Sequence, residues 1–510
     1  MTRSTLRRSL ALAATLACAA GAVHADNRGA HDARYAVERA LCTIFSQHDA
    51  HSAAAQRYCR EETRAQDSRS FTVDEAALPF DALAGSTVEA DRWWGVLDSG
   101  EGRAGYRIEV PKNWNGILVM YAHGYAGTGP TLTVSNPSIR RHLLEQGYAW
   151  AASSYSANYY DVRAGVEDTN ALALAFNRIA KANGRALPKP RKVYITGHSM
   201  GGHVTGAAIE LETLLTARNK VRYDGAVPMC GVLGGSQLFN YFSAYQIAAQ
   251  EFAGFPAQSY PMETWSSFAP QVRAALFTTF SSATTPAGAQ LREVVKQLTG
   301  GERPLFAQGF ALTPLQEVVW GVFGSDGTVN GILNKNLPDT RRITYQLDND
   351  PALSAEEQAL NDRIYERAGE PGANRLRRDG LRWIPEVAGQ FYVPVVSLHT
   401  LGDMYVPFSM EQIYRRNAIK HGNDRRLVQR AVRAPSHCDF TRAEEVAAFD
   451  AMVQWEQKGI KPAGDEVLDR ATVADPAYGC RFSDNTIGVD DSSTTALTRR
   501  FLVPACPAVQ

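Results

Sequence analysis

The stretch Val193-Tyr194-Ile195-Thr196-Gly197-His198-Ser199-Met200-Gly201-Gly202-His203 sets one serine between glycines, directly after an apolar, β-branched run. The run reads as a strand, and the residues beyond Gly201 read as the start of a helix. A chain that ends a strand on Gly-His-Ser-Met-Gly and turns at once into a helix holds the Ser199 hydroxyl in the open. Gly197 and Gly201 allow that turn to be tight, and Gly202 lets the helix approach a neighbouring backbone closely. A serine hydroxyl is a poor nucleophile at neutral pH. It needs a base, a group that orients the base, and donors for the oxyanion of the transition state.

Outward from this stretch, strand and helix signals alternate. Strand signals begin near Trp93 and continue through Tyr106–Val110; Pro111–Gly116 is a turn cluster, and Ile117–Ala122 is a buried-type run. A helical stretch near Ile139–Gln146, a strand at Tyr148–Ser153 and a long helix from about Gly165 to Ala182 come next. Asp224–Cys230 is a further strand. The alternation stops between about Leu233 and Gly389, where helical segments carry Trp265, Phe268, Phe277, Phe280, Trp320 and Trp383. A structureless loop of that length is implausible, so the region reads as an inserted helical cap. The rhythm resumes at Phe391–His399. Alternating strands and helices predict an α/β architecture with a mostly parallel sheet.

Three further motifs accompany the serine. Tyr121-Ala-His-Gly-Tyr-Ala-Gly127 follows a buried-type strand; Leu401-Gly-Asp-Met-Tyr-Val-Pro407 follows another; and Pro435-Ser-His-Cys-Asp-Phe440 precedes a helical stretch, Ala443–Gln457. With Gly197–Gly201, these resemble the α/β-hydrolase superfamily over roughly residues 91–235 and 391–460. The resemblance implies Ser199 as nucleophile, Asp403 as the acid that fixes the imidazole tautomer, and His437 as general base and acid. It also implies an oxyanion hole made by the backbone N–H groups of Tyr125 and Met200, each such donor typically worth about 2.7–4 kcal/mol. Asp224, at the start of a strand, and Asp348 and Asp350, in the helical region, are less well placed for the acid. His123 reads as a loop-ordering hydrogen-bonder, His198 and His203 as packing partners of the turn, and His399 as a strand end.

The chain has 510 residues, 45% hydrophobic and 21% charged, with zero formal net charge. That balance gives no reason to expect nucleic acid as a partner. Arg3, Arg7 and Arg8 precede an apolar run from Leu10 to Val23, and Val23-His24-Ala25 has the small-residue pattern of a cleavage site. Arg7-Arg8 is a partial twin-arginine signal and Thr15–Cys18 a poor lipoprotein box. The expectation is export, to the periplasm or beyond, without stable membrane insertion. Cleavage removes Cys18 and leaves six cysteines, an even number that suits disulfides in an oxidising compartment, with fifteen connectivities open. Proximity favours Cys42–Cys59 and Cys480–Cys506, which leaves Cys230 for Cys438. That last bridge would anchor the His437 loop against the root of the cap. Tannase-like esterases also set a cysteine beside the histidine but pair it with one preceding the serine; here that position is His198. The expected organisation is a signal peptide (1–25), an N-terminal helical extension (26–90), the hydrolase core (91–235 and 391–460), the cap (236–390) and a disulfide-pinned tail (461–510).

His48-Asp-Ala-His51 and Asp348-Asn-Asp350 are polar clusters without a completed ligand set, and no dinucleotide or phosphate-loop glycine pattern occurs, so no metal or cofactor is expected. The resulting expectation is a secreted serine hydrolase of carboxylic esters, acting on a small-molecule or oligomeric ester. Amidase, peptidase and acyltransferase chemistry would use the same residues, and a non-catalytic binding protein on this scaffold would have lost some of them. The aromatics of the cap suit a hydrophobic or aromatic acyl group, or form the cap's own core.

Overall fold

Ile117–Ala122 is apolar throughout and buried at every position, as a strand covered on both faces must be. It lies inside an eight-stranded sheet. In this computed structural model, residues 69–325, 337–370, 373–374, 376 and 380–507 are described. The chain divides into two compact units, Asp67–Glu370 with Trp383–Gln510, and Met1–Gln66 with Pro371–Arg382. The sheet and the candidate site belong to the first.

The sheet strands are β1 (Ala90–Asp98), β2 (Arg103–Pro111), β3 (Ile117–Ala122), β4 (Ala149–Ser153), β5 (Lys192–His198), β6 (Gly225–Met229), β7 (Val395–Thr400) and β8 (Leu427–Val432). Their spatial order is β8-β7-β6-β5-β3-β4-β2-β1. From β4 to β8 all neighbours are parallel, whereas β2 runs antiparallel to both β1 and β4. Strands β3, β4, β6, β7 and β8 are buried along their whole length, and the edge strand β1 is mostly half-buried.

Helices α1 (Arg140–Glu145), α2 (Val162–Ala182), α3 (Met200–Ala208) and α4 (Leu211–Thr216) fall between these strands. Helix α2 starts three residues before the position that apolar periodicity suggests, because the Asp161 carboxylate caps it by accepting the Ala164 N–H. From Gln237 to Arg363 the chain forms α5 (Gln237–Phe252), α6 (Trp265–Leu276), α7 (Pro286–Leu298), α8 (Phe306–Ala311), α9 (Thr313–Gly321) and α10 (Ala355–Arg363), with a small hairpin at Phe277–Thr279 and Ala283–Thr284. Most of the aromatics singled out in this region pack on one another. Trp320 lies 5.6 Å from Trp265, 5.4 Å from Phe280 and 6.0 Å from Phe277, centroid to centroid. They are core, as the second reading of their clustering had it.

Helix α11 (Ser409–Lys420) joins β7 to β8, and α12 (Arg442–Lys458) packs over β6 and β7. A capping box at Thr441 and Glu444 starts α12, and Gly459 in the left-handed conformation ends it. The segment after Pro462, expected only as a disulfide-pinned tail, carries two helices, α13 (Arg470–Ala474) and α14 (Ser493–Phe501). It is tied to the core by a buried ion pair, Arg499 with Glu444, at 2.7 Å. The described end of the N-terminal extension also departs from a helical reading, since Thr72–Val73 pairs in parallel with Thr131–Leu132. The leader, Cys42, Cys59 and the His48–His51 cluster lie outside the described residues. Among the described residues no helix is long and apolar enough to cross a membrane.

Candidate active site

Strand β5 ends at His198 and α3 begins at Met200, so the whole change of direction falls on Ser199. Its backbone sits at φ 57°, ψ −122°, a conformation that L-residues avoid. The Ser199 N–H donates to Met229 O at 3.0 Å and the His203 N–H to Ser199 O at 3.1 Å, which holds the turn from both sides. The flanking glycines answer to sterics. A Cβ on Gly201 would overlap Ala122 O, one on Gly197 would overlap Gly201 O, and one on Gly202 would lie 2.6 Å from Gly231 Cα.

Two loops from distant parts of the chain reach this turn. His437, after β8, accepts the Ser199 hydroxyl at Nε2 (2.8 Å) and donates its Nδ1–H to Asp403 Oδ2 (2.5 Å). Asp403, after β7, is fully buried, and its Oδ1 accepts the N–H groups of Tyr405 (2.8 Å) and Val406 (3.0 Å). That leaves only Oδ2 to face the imidazole. The loops brace each other: Thr400 Oγ1 donates to Ser436 O at 2.8 Å, and Gly402 N–H to Ala434 O at 2.9 Å. A Cβ on Gly402 would lie 2.5 Å from Pro435 Cα, so glycine is required for that approach.

A strand order of β1-β2-β4-β3-β5-β6-β7-β8 carries the serine after β5, the aspartate after β7 and the histidine after β8. This is the α/β-hydrolase fold.

No family model matches the chain. A curated relative, the o-phthalyl amidase of Xanthobacter agilis, is 23% identical over 403 residues, covering 68% of this chain and 84% of that protein. Among solved structures, feruloyl esterase B of Aspergillus oryzae aligns with 14% identity over 79% of this chain and 89% of that one, at a TM-score of 0.45. Lipase A of Candida antarctica aligns with 14% identity over 81% and 85%, at a TM-score of 0.36. The strand order and the turn at Ser199, rather than these likenesses, decide the fold.

In this fold, the loop after β3 runs against the serine. A Cβ on Gly124 would sit 3.3 Å from Ser199 Cβ, which brings the amide of the next residue, Tyr125, to the same end of the sheet. Met200 N–H is the first amide of α3, of the kind that helix starts leave without an internal acceptor. His123 does not reach Ser199. It stacks on Tyr155 with centroids 4.0 Å apart, its Nδ1 faces Gly124 O at 2.6 Å, and burial pushes its pKa down.

The other histidines are held elsewhere. His198 Nε2 lies 3.1 Å from the buried Glu445 carboxylate. His203 is enclosed between Tyr160 and Pro385 O. His399 Nε2 faces Val406 O at 2.8 Å; burial opposes a charge on it, but Glu411 at 3.5 Å more than offsets this and its pKa is raised. Asp224 receives Lys192 and the Val193 N–H, and Asp348 accepts the Asp350 N–H in an exposed turn, so neither approaches Ser199.

Cys230 is bonded to Cys438 and Cys480 to Cys506. The first bridge borders the site, with Cys438 Sγ 3.4 Å from His437 Nε2. Cys230, His437 and Cys438 are the one group among the described residues with metal-ligand spacing, and its two sulfurs are consumed by the disulfide.

Ser199 opens into a cavity of about 530 Å³ whose wall includes Tyr125, Tyr160, Phe239, Phe242 and Tyr405, with Glu263 as the one charged residue among the described residues that line it. Tyr405 stands edge-on to His437, centroids 5.4 Å apart. Of these residues Tyr125 and Tyr405 are visible in the sequence, through the His-Gly and acid motifs. Tyr160 and Phe239 carry no local signal, because their place in the wall follows from how α2 and α5 begin.

Proposed function

We propose that the chain is a secreted serine hydrolase of carboxylic esters, working through an acyl-enzyme on uncharged hydrophobic or aromatic acyl groups. One observation carries the reading: the continuous hydrogen-bonded path from Ser199 Oγ through His437 to Asp403. As Ser199 Oγ bonds to the carbonyl carbon, its proton passes to His437 Nε2, and Asp403 stabilises the imidazolium. The backbone N–H groups of Tyr125 and Met200 receive the oxyanion. When the tetrahedral intermediate collapses, His437 returns the proton to the leaving alkoxide. Water then repeats the sequence on the acyl-enzyme and frees the acid and Ser199.

An aromatic wall whose described residues include the acidic Glu263 and no cation favours neutral acyl groups over anionic ones. Phe239, Phe242 and Phe323 bring the helical region between β6 and β7 over the site, in the manner of a cap. Two disulfides fit an oxidising compartment, in keeping with an exported chain.

An amidase is the second reading, favoured by the relative named as an o-phthalyl amidase over 84% of its length. Turnover of p-nitrophenyl benzoate and p-nitrophenyl hexanoate against the matching p-nitroanilides separates the two. Faster ester cleavage that vanishes in Ser199→Ala supports the esterase. Equal or faster anilide cleavage moves the assignment to amides, and activity that persists in Ser199→Ala overturns both.

A further inference from the structure

Helix α5 stands between two chambers of opposite character. Leu238, Phe239 and Phe242 face the Ser199 cavity, while Gln237, Asn240 and Tyr241, on the other side of the same helix, wall a second cavity of about 610 Å³. This second chamber also touches α11 and the segment from Asp339 to Ile343.

Three solvent-exposed arginines, Arg342, Arg416 and Arg470, line it. Among the described residues neither Arg342 nor Arg416 meets a carboxylate or any hydrogen-bond acceptor, and Arg470 reaches only Asn349 O at 3.5 Å. The one acid among the described residues of the wall, Asp339, is already engaged by Arg341 through two bonds of 3.0 and 2.5 Å. Among the described residues, then, no carboxylate neutralises these three guanidinium groups, which solvent reaches. Partial desolvation, and then the charge of Arg470, lower the pKa of the exposed Arg416, as expected of guanidinium groups close enough to repel. Each guanidinium presents a planar fork of donors matched to carboxylate, phosphate or sulfate oxygens. The amides beside them supply both senses of hydrogen bond. Asn240 Oδ1 accepts the Asp339 N–H and leaves its NH2 group, while Gln412 Nε2 donates to Gly300 O and leaves its carbonyl oxygen.

We propose that this chamber is a binding site for a small polar ligand bearing an oxyanion, separate from the Ser199 cavity. Its volume exceeds that of a bare ion and suits an anionic group carried on a hydroxylated body of sugar size.

Isothermal titration of the full protein with inorganic phosphate, glucose 6-phosphate, glucuronate and, as an uncharged control, glucose tests this. The expected result is binding of at least one charged probe and none of glucose. That binding should be unchanged in Ser199→Ala, weakened about tenfold or more in the Arg416→Gln/Arg470→Gln double variant, and lost progressively as salt rises. Arg342→Gln, on a different segment, gives the same reading should the double variant fail to fold. The proposal is overturned if no charged probe binds at millimolar concentration, if glucose binds equally well, or if affinity survives removal of the arginines. None of these outcomes depends on the chemistry at Ser199.

Discussion

Tyr160 and His203 are joined by a hydrogen bond whose direction the surroundings fix. His203 Nε2 faces the carbonyl of Pro385 at 2.8 Å and must carry the proton there, so Nδ1 is an acceptor and the Tyr160 hydroxyl donates to it at 2.9 Å. Protonating the ring would turn a second N–H toward that hydroxyl, and burial pushes the His203 pKa down to about 4. The folded-state value lies below the ~6.5 of a free imidazole, so the unfolded chain binds the proton first as pH falls. The resulting stabilisation is complete above about pH 6.5 and is lost progressively toward pH 4, by about 3 kcal/mol in all. Buried carboxyls titrate across the same range with the opposite sign, Asp168 and Glu444 each raised to about 7, so the slope is read as the difference between the parent and His203→Gln in urea unfolding followed from pH 7 to pH 4. Identical slopes in the two proteins would assign the acid sensitivity to other groups.

Ser199 holds a backbone conformation that glycine adopts freely, at φ 57°. Strain of this kind costs about 1–3 kcal/mol. Ser199→Gly is therefore expected to be inactive yet more stable than the parent by about 1 kcal/mol or more. Ser199→Ala, which keeps a Cβ, should be equally inactive without that gain. A melting temperature that falls in Ser199→Gly would show that the serine hydroxyl contributes more to the turn than the turn costs.

Gly201 and Gly202 make the complementary case. A side chain at Gly201 would run into the Ala122 carbonyl, and one at Gly202 into the backbone at Gly231. Neither obstacle is the end of a flexible side chain that can swing aside. Substitution of either glycine by alanine should destabilise by about 1–3 kcal/mol or more and should lower turnover by moving Ser199 away from His437. Comparing chemical denaturation with ester turnover checks both effects, and a Gly201→Ala variant with parental stability and rate would remove the steric requirement.

What could be read from the sequence was concentrated where backbone geometry forces particular residues. Glycines around Ser199 and at Gly402, and the strand-then-turn setting of Asp403 and His437, are local consequences of tight loops at one end of a sheet. The last strand, Leu427–Val432, escaped notice because Gln429 and Arg430 interrupt its apolar pattern. Both are buried, and partners from elsewhere satisfy them: Gln429 donates to Glu411 O, and Arg430 to Ala447 O. Strand β7 begins at Val395 rather than Phe391, since Pro394 has no N–H for a ladder. Tyr160 and Phe239 enter the cavity wall through helix packing, which leaves no mark on neighbouring residues.

The Cys230–Cys438 bridge closes a loop across 208 residues and ends one residue from His437. Loop closure of that length restricts the unfolded chain by about 5 kcal/mol in the chain-entropy account. Both half-cystines also sit at positive φ, 43° and 53°, so the bridge holds the His437 loop in a backbone shape it would otherwise relax. Cys230→Ser/Cys438→Ser is expected to lose several kcal/mol of stability and to lower kcat more than it changes KM, because the histidine moves and the cavity does not. A variant with parental kcat at a temperature where it remains folded would make the bridge purely a stabiliser.

Asp403 offers the sharpest separation of chemistry from structure. Its Oδ1 is committed to the amides of Tyr405 and Val406, and its Oδ2 to His437. In Asp403→Asn the side-chain oxygen can keep both amides, which leaves the NH2 group facing His437 Nδ1. A donor there forces the proton onto Nε2, and a protonated Nε2 cannot accept from Ser199. Turnover should fall about 10⁴-fold, the size of loss seen when a triad acid is replaced by its amide, with little change in melting temperature. Asp403→Ala removes the acceptor of the buried Val406 amide as well, at about 1–3 kcal/mol, and that of the part-buried Tyr405 amide, and should lose both activity and stability. Retention of substantial turnover in Asp403→Asn would mean that another group orients His437, and the path from Ser199 to Asp403 would no longer describe the working site.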